Sequence, residues 1–115
     1  HPGISFPKND HRFFNSDGQC FNVGETFAGI PLNTGLSLVE ELKTLVPEGM
    51  NLTQTALRWI LDFDAVTVVI PGSKSPNQVP ENASASQLPS LSKSLHAKLN
   101  VFYNEKIIQH IRGKY

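Results

Sequence analysis

The chain has 115 residues, 39% of them hydrophobic and 17% charged, with ten acidic side chains balancing ten lysines and arginines. This length suits one soluble domain with a modest core, and the scattered, balanced charge gives no footprint for nucleic acid or an anionic membrane. Cys20 stands alone, which excludes an internal disulfide and a cysteine metal cluster and fits a reducing, cytoplasmic compartment, and no apolar run approaches the ~20 residues of a membrane span.

The sequence opens at His1 and its only methionine is Met50, which suggests an excerpt of a longer protein. Residues 1–35 are rich in Gly, Pro, Asn and Asp, with Phe6, Phe13, Phe14, Phe21 and Phe27 interleaved and no sustained period. They read as a long loop that covers a site or needs a scaffold to order it. Asp10, His11 and Arg12 could reach a ligand, but adjacent residues share no face, and a solvated loop is the better reading.

Residues 36–64 read as helices. Ser37 and Glu40 have capping-box spacing, and Leu38, Val39, Leu42, Leu45 and Val46 form an apolar stripe, predicting a helix over 38–46 that stops before Pro47. Thr53 is placed to cap a second helix in which Ala56, Leu57, Ile60 and Leu61 face inward. Arg58 and Asp62 lie four apart in it, at ion-pair spacing, and Trp59 adds packing surface.

Residues 65–71 form the one convincing strand. Val66 to Ile70 is dense in β-branched residues and does not alternate, as expected of a parallel strand covered on both faces. Pro71 ends it, and Gly72 allows dihedrals or a close backbone approach that other residues resist. Residues 72–86 then read as a loop and a short helix, with Ser75 as N-cap, Pro76 at the first helical position and Gln78 completing a capping box. Unpaired N–H groups and the positive dipole end, beside Ser73, Lys74 and Ser75, suit an anion of phosphate size. The same pattern is also the ordinary strand-to-helix connection of any α/β protein.

Pro89 breaks the chain, and Ser92 caps a last helix within 90–112. Leu91, Leu95, Leu99 and Phe102, continued by Ile107, Ile108 and Ile111, form its apolar face. His96 and His110 are too far apart on that helix to make a metal site, so no metal is expected. A lone parallel strand cannot satisfy its backbone, so its neighbours must come from elsewhere.

Ala56-Leu57-Arg58-Trp59-Ile60-Leu61, then Val66 to Lys74, then Pro76, Gln78, Glu81 and Asn82, resemble in order and spacing the C-terminal part of the aldo-keto reductases. The match is to their last barrel helix, eighth strand, cofactor loop and following short helix. Asp10-His11-Arg12 through Gly24-Glu25-Thr26-Phe27 is similar to their variable loop after the seventh strand. The resemblance implies an α/β fold, the C-terminal portion of a (β/α)8 TIM barrel, with residues 1–115 a single segment that is incomplete alone and mostly helical, with one parallel-type strand.

It also implies NADP-dependent reduction of aldehydes and ketones, with NADPH as cofactor and a small carbonyl substrate. Gly72, Ser73, Lys74 and Ser75 would form the loop at the 2'-phosphate and ribose, Gln78 would flank the phosphate, and Glu81 with Asn82 would bond the adenine. Many members carry a cation where Gln78 stands and some a lysine where Gly72 stands, which shifts the phosphate contact toward Lys74. Pro80, expected at the fifth helical position, predicts a kink or a loosened turn. The family's Asp, Tyr, Lys and His tetrad lies upstream, and Tyr103, Tyr115 and the histidines do not match its motifs. The segment is therefore expected to be inactive alone and to depend on the remaining barrel strands. Its rival is a non-catalytic interaction or anion-binding module that docks on a partner chain.

Overall fold

The computed structural model describes residues 6–10, 13 and 26–112, with Thr26 and Phe27 described in backbone only. Phe14, Phe21, Cys20, Tyr115 and the His11-Arg12 pair lie outside the described residues. Four α-helices occur among the described residues: α1 Leu32–Lys43, α2 Leu52–Leu61, α3 Gln78–Ser84 and α4 Lys93–Phe102. The chain divides into two compact units, one from His1–Leu42 and Asn100–Tyr115, the other Lys43–Leu99.

The expected strand is not formed. Among the described residues no segment pairs with Val66 to Ile70, and the run has no regular secondary structure. The expected two-sided cover is also missing, since Val68 is 68% and Ile70 90% exposed. β-branched composition creates a preference for extended backbone, but a strand needs a neighbour to accept its hydrogen bonds.

In the second unit, α2 begins with a complete capping box on Asn51, not on Thr53 as the sequence suggested. Asn51 Oδ1 accepts from the Gln54 amide at 2.8 Å and Gln54 Oε1 accepts from the Asn51 amide at 3.0 Å. Thr53 is inside the helix, because an Asn three residues before a Gln satisfies two otherwise orphaned donors. Thr55 is buried and donates its hydroxyl to Asn51 O. Leu57, Ile60 and Leu61 are half-buried, while Ala56, expected inside, is exposed. The core of this unit is built around Ala85, 1% exposed, and Leu91, with Thr55 beside them.

Asp62 closes α2 and joins it to the later chain. Its side chain, 6% exposed, accepts from Arg58 Nε at 2.9 Å, Leu91 N at 2.8 Å and His96 Nε2 at 2.9 Å. Burial pushes the carboxyl upward, but hydrogen bonds from His96, the Leu91 amide, Ser90 and Arg58 outweigh it and hold the group below its ordinary value. Phe63 stands edge-on to both Trp59 and His96, with ring centroids 4.9 and 5.9 Å apart. Ser92 caps α4 as expected, its Oγ accepting from Leu95 N at 3.1 Å.

In the first unit, α1 starts earlier and ends earlier than the expected 38–46. The Pro31 carbonyl accepts from Gly35 N, so the helix is already running when it reaches Ser37, whose hydroxyl donates to Asn33 O at 3.1 Å instead of capping. Pro47 disfavours helical backbone at Val46, which shortens the other end. The last helix is not continuous to 112. It widens to a π-helix over Tyr103–Ile107 and then tightens to a 3₁₀ turn, Ile108–His110. Within the widened segment Asn104 Nδ2 donates to Asn100 O at 2.8 Å. Arg112 N donates to Ala28 O at 2.8 Å, and Ala28 and Gly29 both have positive φ, 46° and 92°. A Cβ on Gly29 would lie 2.8 Å from Arg112 Cβ, so glycine is required there. Lys106 pairs with Glu41 and sits over the Phe102 ring.

Candidate functional site: the loop from Gly72 to Asn82

The loop and α3 both belong to the second unit. Helix α3 begins at Gln78, two residues later than expected, and Ser75 does not cap it; Asn77 holds the N-cap position without a side-chain bond. Half of the expected capping box survives. Gln78 Oε1 turns back and accepts from Lys74 N at 2.6 Å and Ser75 N at 3.2 Å. Gln78 N and Val79 N are taken by the carbonyls of Ser75 and Pro76.

The backbone donors at 74, 75, 78 and 79 are thus satisfied within the loop, and Pro76 and Pro80 have none to give. Four of the N–H groups that the sequence suggested would be open to a ligand are therefore occupied. The later start also moves Pro80 to the third helical position, inside the first turn, where its missing N–H breaks no helical bond. Gly72 has neither a positive φ nor a heavy atom within 4 Å of an added Cβ, so neither expected reason for glycine applies.

What the loop offers a ligand is its side chains. Lys74 is exposed, and its ammonium has no ion-pair partner among the described residues. Asn82 Nδ2 donates to Ser73 Oγ at 3.1 Å, which leaves the Ser73 O–H free to donate elsewhere. Glu81 Oε1 accepts from Asn51 Nδ2 at 2.7 Å. Thus Ser73 and Asn82 meet directly, Gln78 contacts the backbone of Lys74 and Ser75, and Glu81 is held by the N-cap residue of α2. A groove of about 610 Å³ runs beside them, with Ser73, Asn82 and Ser86 at polar positions and Leu57, Leu61, Val68, Val69, Pro71 and Val79 among its apolar ones.

A cation, two hydroxyls, a carboxylate and an amide along one short segment fit a ligand that has an anionic group and a hydrogen-bonding ring. They fit a metal poorly, and among the described residues no group of three or more His, Cys, Asp or Glu is placed to hold one. Asn51 and Gln54 are not among the residues expected from the sequence, where Thr53 offers a competing cap two positions later. The signal that could have found them is Asn-x-x-Gln immediately before the apolar helical period.

In chain order the site comprises the capped α2, an apolar run, a Gly-Ser-Lys loop and the short helix α3 that carries Glu81 and Asn82. The model of the Aldo/keto reductase family matches residues 5–104, and the chain belongs to that family. Comparison with curated proteins returned no match, and neither did comparison with solved structures. Among the described residues no helix is long and apolar enough to cross a membrane.

Proposed function

We propose that residues 72–82 form the adenosine-phosphate half of an NADP site, in a segment contributing to an enzyme that reduces aldehydes or ketones. The single observation supporting this reading is the Asn82 to Ser73 hydrogen bond, which joins the two ends of the loop across nine residues, with Lys74 next to Ser73 in the chain. When bound, the cofactor supplies the hydride.

The residues of this chain bind and orient. A 2'-phosphate is a dianion near neutral pH, so Lys74 and the hydroxyls of Ser73 and Ser75 favour it over the neutral 2'-OH of NADH. Gln78 acts on the loop and not as a cation toward the phosphate. It freezes Lys74 and Ser75 in one turn, which reduces the ordering cost of binding. Glu81 and Asn82 provide an acceptor and an amide for the adenine edge. The groove beside Ser73 and Asn82 gives an apolar wall against which a purine could lie. Val66 to Ile70 is the segment that would become the closing stave when supplied with neighbouring strands of a (β/α)8 barrel. The catalytic Asp, Tyr, Lys and His would come from those other parts, so the chain alone should not turn over.

Calorimetric titration with NADPH, NADH and inorganic phosphate tests the reading. It predicts NADPH binding at least about tenfold tighter than NADH, since a charge-assisted contact is worth on the order of 1.4 kcal/mol or more. Equal responses to NADPH and NADH, or to NADPH and phosphate, would remove the NADP assignment.

A second reading rests on the exposure of Val68 and Ile70. The apolar run would then be a docking strip, and the chain a module held by a partner. A solution mass showing a stable, cooperatively unfolding monomer would count against it.

A further inference from the structure

The capping box of α2 does more than start that helix. Asn51 and Gln54 each spend one amide atom on the cap and the other on α3. Asn51 Oδ1 is fixed by Gln54 N, which turns its Nδ2 toward Glu81 Oε1, 2.7 Å away. Gln54 Oε1 is fixed by Asn51 N, which turns its Nε2 toward Ser84 Oγ at 3.1 Å, and that hydroxyl donates to Glu81 O at 2.6 Å. Two donors from one cap therefore grip α3 at positions three residues apart, one helical turn. Packing does little to set this helix, for none of its seven residues is buried.

We infer that Asn51 is a positioning residue for purine recognition: its amide holds one oxygen of Glu81, leaving the other to accept from an amine at the purine 6-position. The inference rests on the NADP reading above, in which Glu81 faces adenine. Carboxylates only accept, so a Glu81 held in place favours adenine, whose 6-amine donates, over hypoxanthine, whose 6-oxygen does not. A hydrogen bond to a charged group is stronger than a neutral one and costs no extra ordering here, since the cap has already fixed the amide.

The test uses the full chain with adenosine 2'-phosphate and inosine 2'-phosphate as calorimetric probes. Asn51→Asp is the informative variant. Aspartate caps a helix as well as asparagine does, so α2 should keep its start and the thermal midpoint should hold, but aspartate has no N–H for Glu81 and repels it. The wild-type chain should prefer the adenosine probe about tenfold, and Asn51→Asp should bring the two affinities within about twofold. Glu81→Gln alone should also lose the preference, because Asn51 would hold the new amide's oxygen and leave its N–H₂ facing the purine amine. Combining Asn51→Asp with Glu81→Gln reverses the polarity of the pair: the carboxylate introduced in α2's cap would take the N–H₂ of the amide introduced in α3 and turn that amide's oxygen outward, restoring the adenosine preference. An unchanged preference in Asn51→Asp, or a double variant no better than Glu81→Gln, would overturn the positioning role while leaving the NADP site standing. A wild-type chain that binds neither probe would overturn both.

Discussion

His96 Nε2 and Asp62 Oδ2 lie 2.9 Å apart, a contact that ties the start of α4 to the end of α2 through a carboxylate 6% exposed. The same carboxylate receives Arg58 and the Leu91 amide, so one side chain gathers three segments of the second unit. Replacing Asp62 with alanine would leave those donors without an acceptor and should cost roughly 2–4 kcal/mol in denaturant unfolding. The native contacts lower the Asp62 pKa. Its contribution is therefore complete above the unfolded-state carboxyl pKa of about 4 and is lost as pH falls through the lower folded-state value. Stability measured against pH should fall in that acid range in the wild type and be flatter there in Asp62→Asn. An identical acid slope in both would remove Asp62 from the account.

Among the described residues, the two glycines with positive φ should respond differently to alanine. Gly29 has φ 92° and an added Cβ would meet Arg112, whereas Gly49 has φ 82° with nothing within 4 Å. Gly49→Ala should cost about 1 kcal/mol from backbone strain alone, and Gly29→Ala more, about 2–3 kcal/mol. Thermal melts of the two variants would rank them, and equal losses would contradict the close approach of Arg112.

Gly72 can accept a side chain, since an added Cβ meets no atom and φ is not positive. Gly72→Lys should fold as the wild type does and bring a second cation to the loop beside Lys74. An exposed charge contact is worth about 0.5–1 kcal/mol, so NADPH affinity should rise about threefold with little change for NADH. A gain shared equally by both cofactors would place the new cation away from the 2'-phosphate.

Ile70, 90% exposed, contributes little to the stability of this chain as it stands. Ile70→Lys should leave unfolding within ~0.5 kcal/mol of the wild type and reduce concentration-dependent association, because it puts a charge into an uncharged β-branched run. Sedimentation at increasing concentration would show it. A large loss of stability would mean that the run is packed in solution.

Local chemistry was legible in the sequence where a residue's partner lies within a few positions. Arg58 and Asp62 pair as their spacing predicts, and Ser92 caps α4. Caps are ambiguous in sequence where two candidates compete: Asn51 outdoes Thr53 because Gln54 answers it, and Ser37 loses its role because Pro31 starts α1 a turn and a half earlier. Composition indicated an extended, covered run at Val66 to Ile70, but pairing and cover come from other segments, which periodicity cannot supply. For the candidate site, the sequence named the side chains at Ser73, Lys74, Glu81 and Asn82, and family membership came from the order of motifs. It did not reveal that Gln78 occupies the loop amides or that Asn51 holds Glu81, because both depend on how side chains turn back on the chain.

The most direct test of the central claim is a nuclear magnetic resonance titration of the isotope-labelled chain with adenosine 2'-phosphate. Perturbed amides should cluster at residues 72–82, with Lys74, Asn82 and the Glu81–Asn51 pair among the largest shifts, and Lys74→Ala should weaken binding about tenfold. Shifts centred elsewhere in the chain, or binding indifferent to Lys74, would contradict the assignment of this loop to the cofactor.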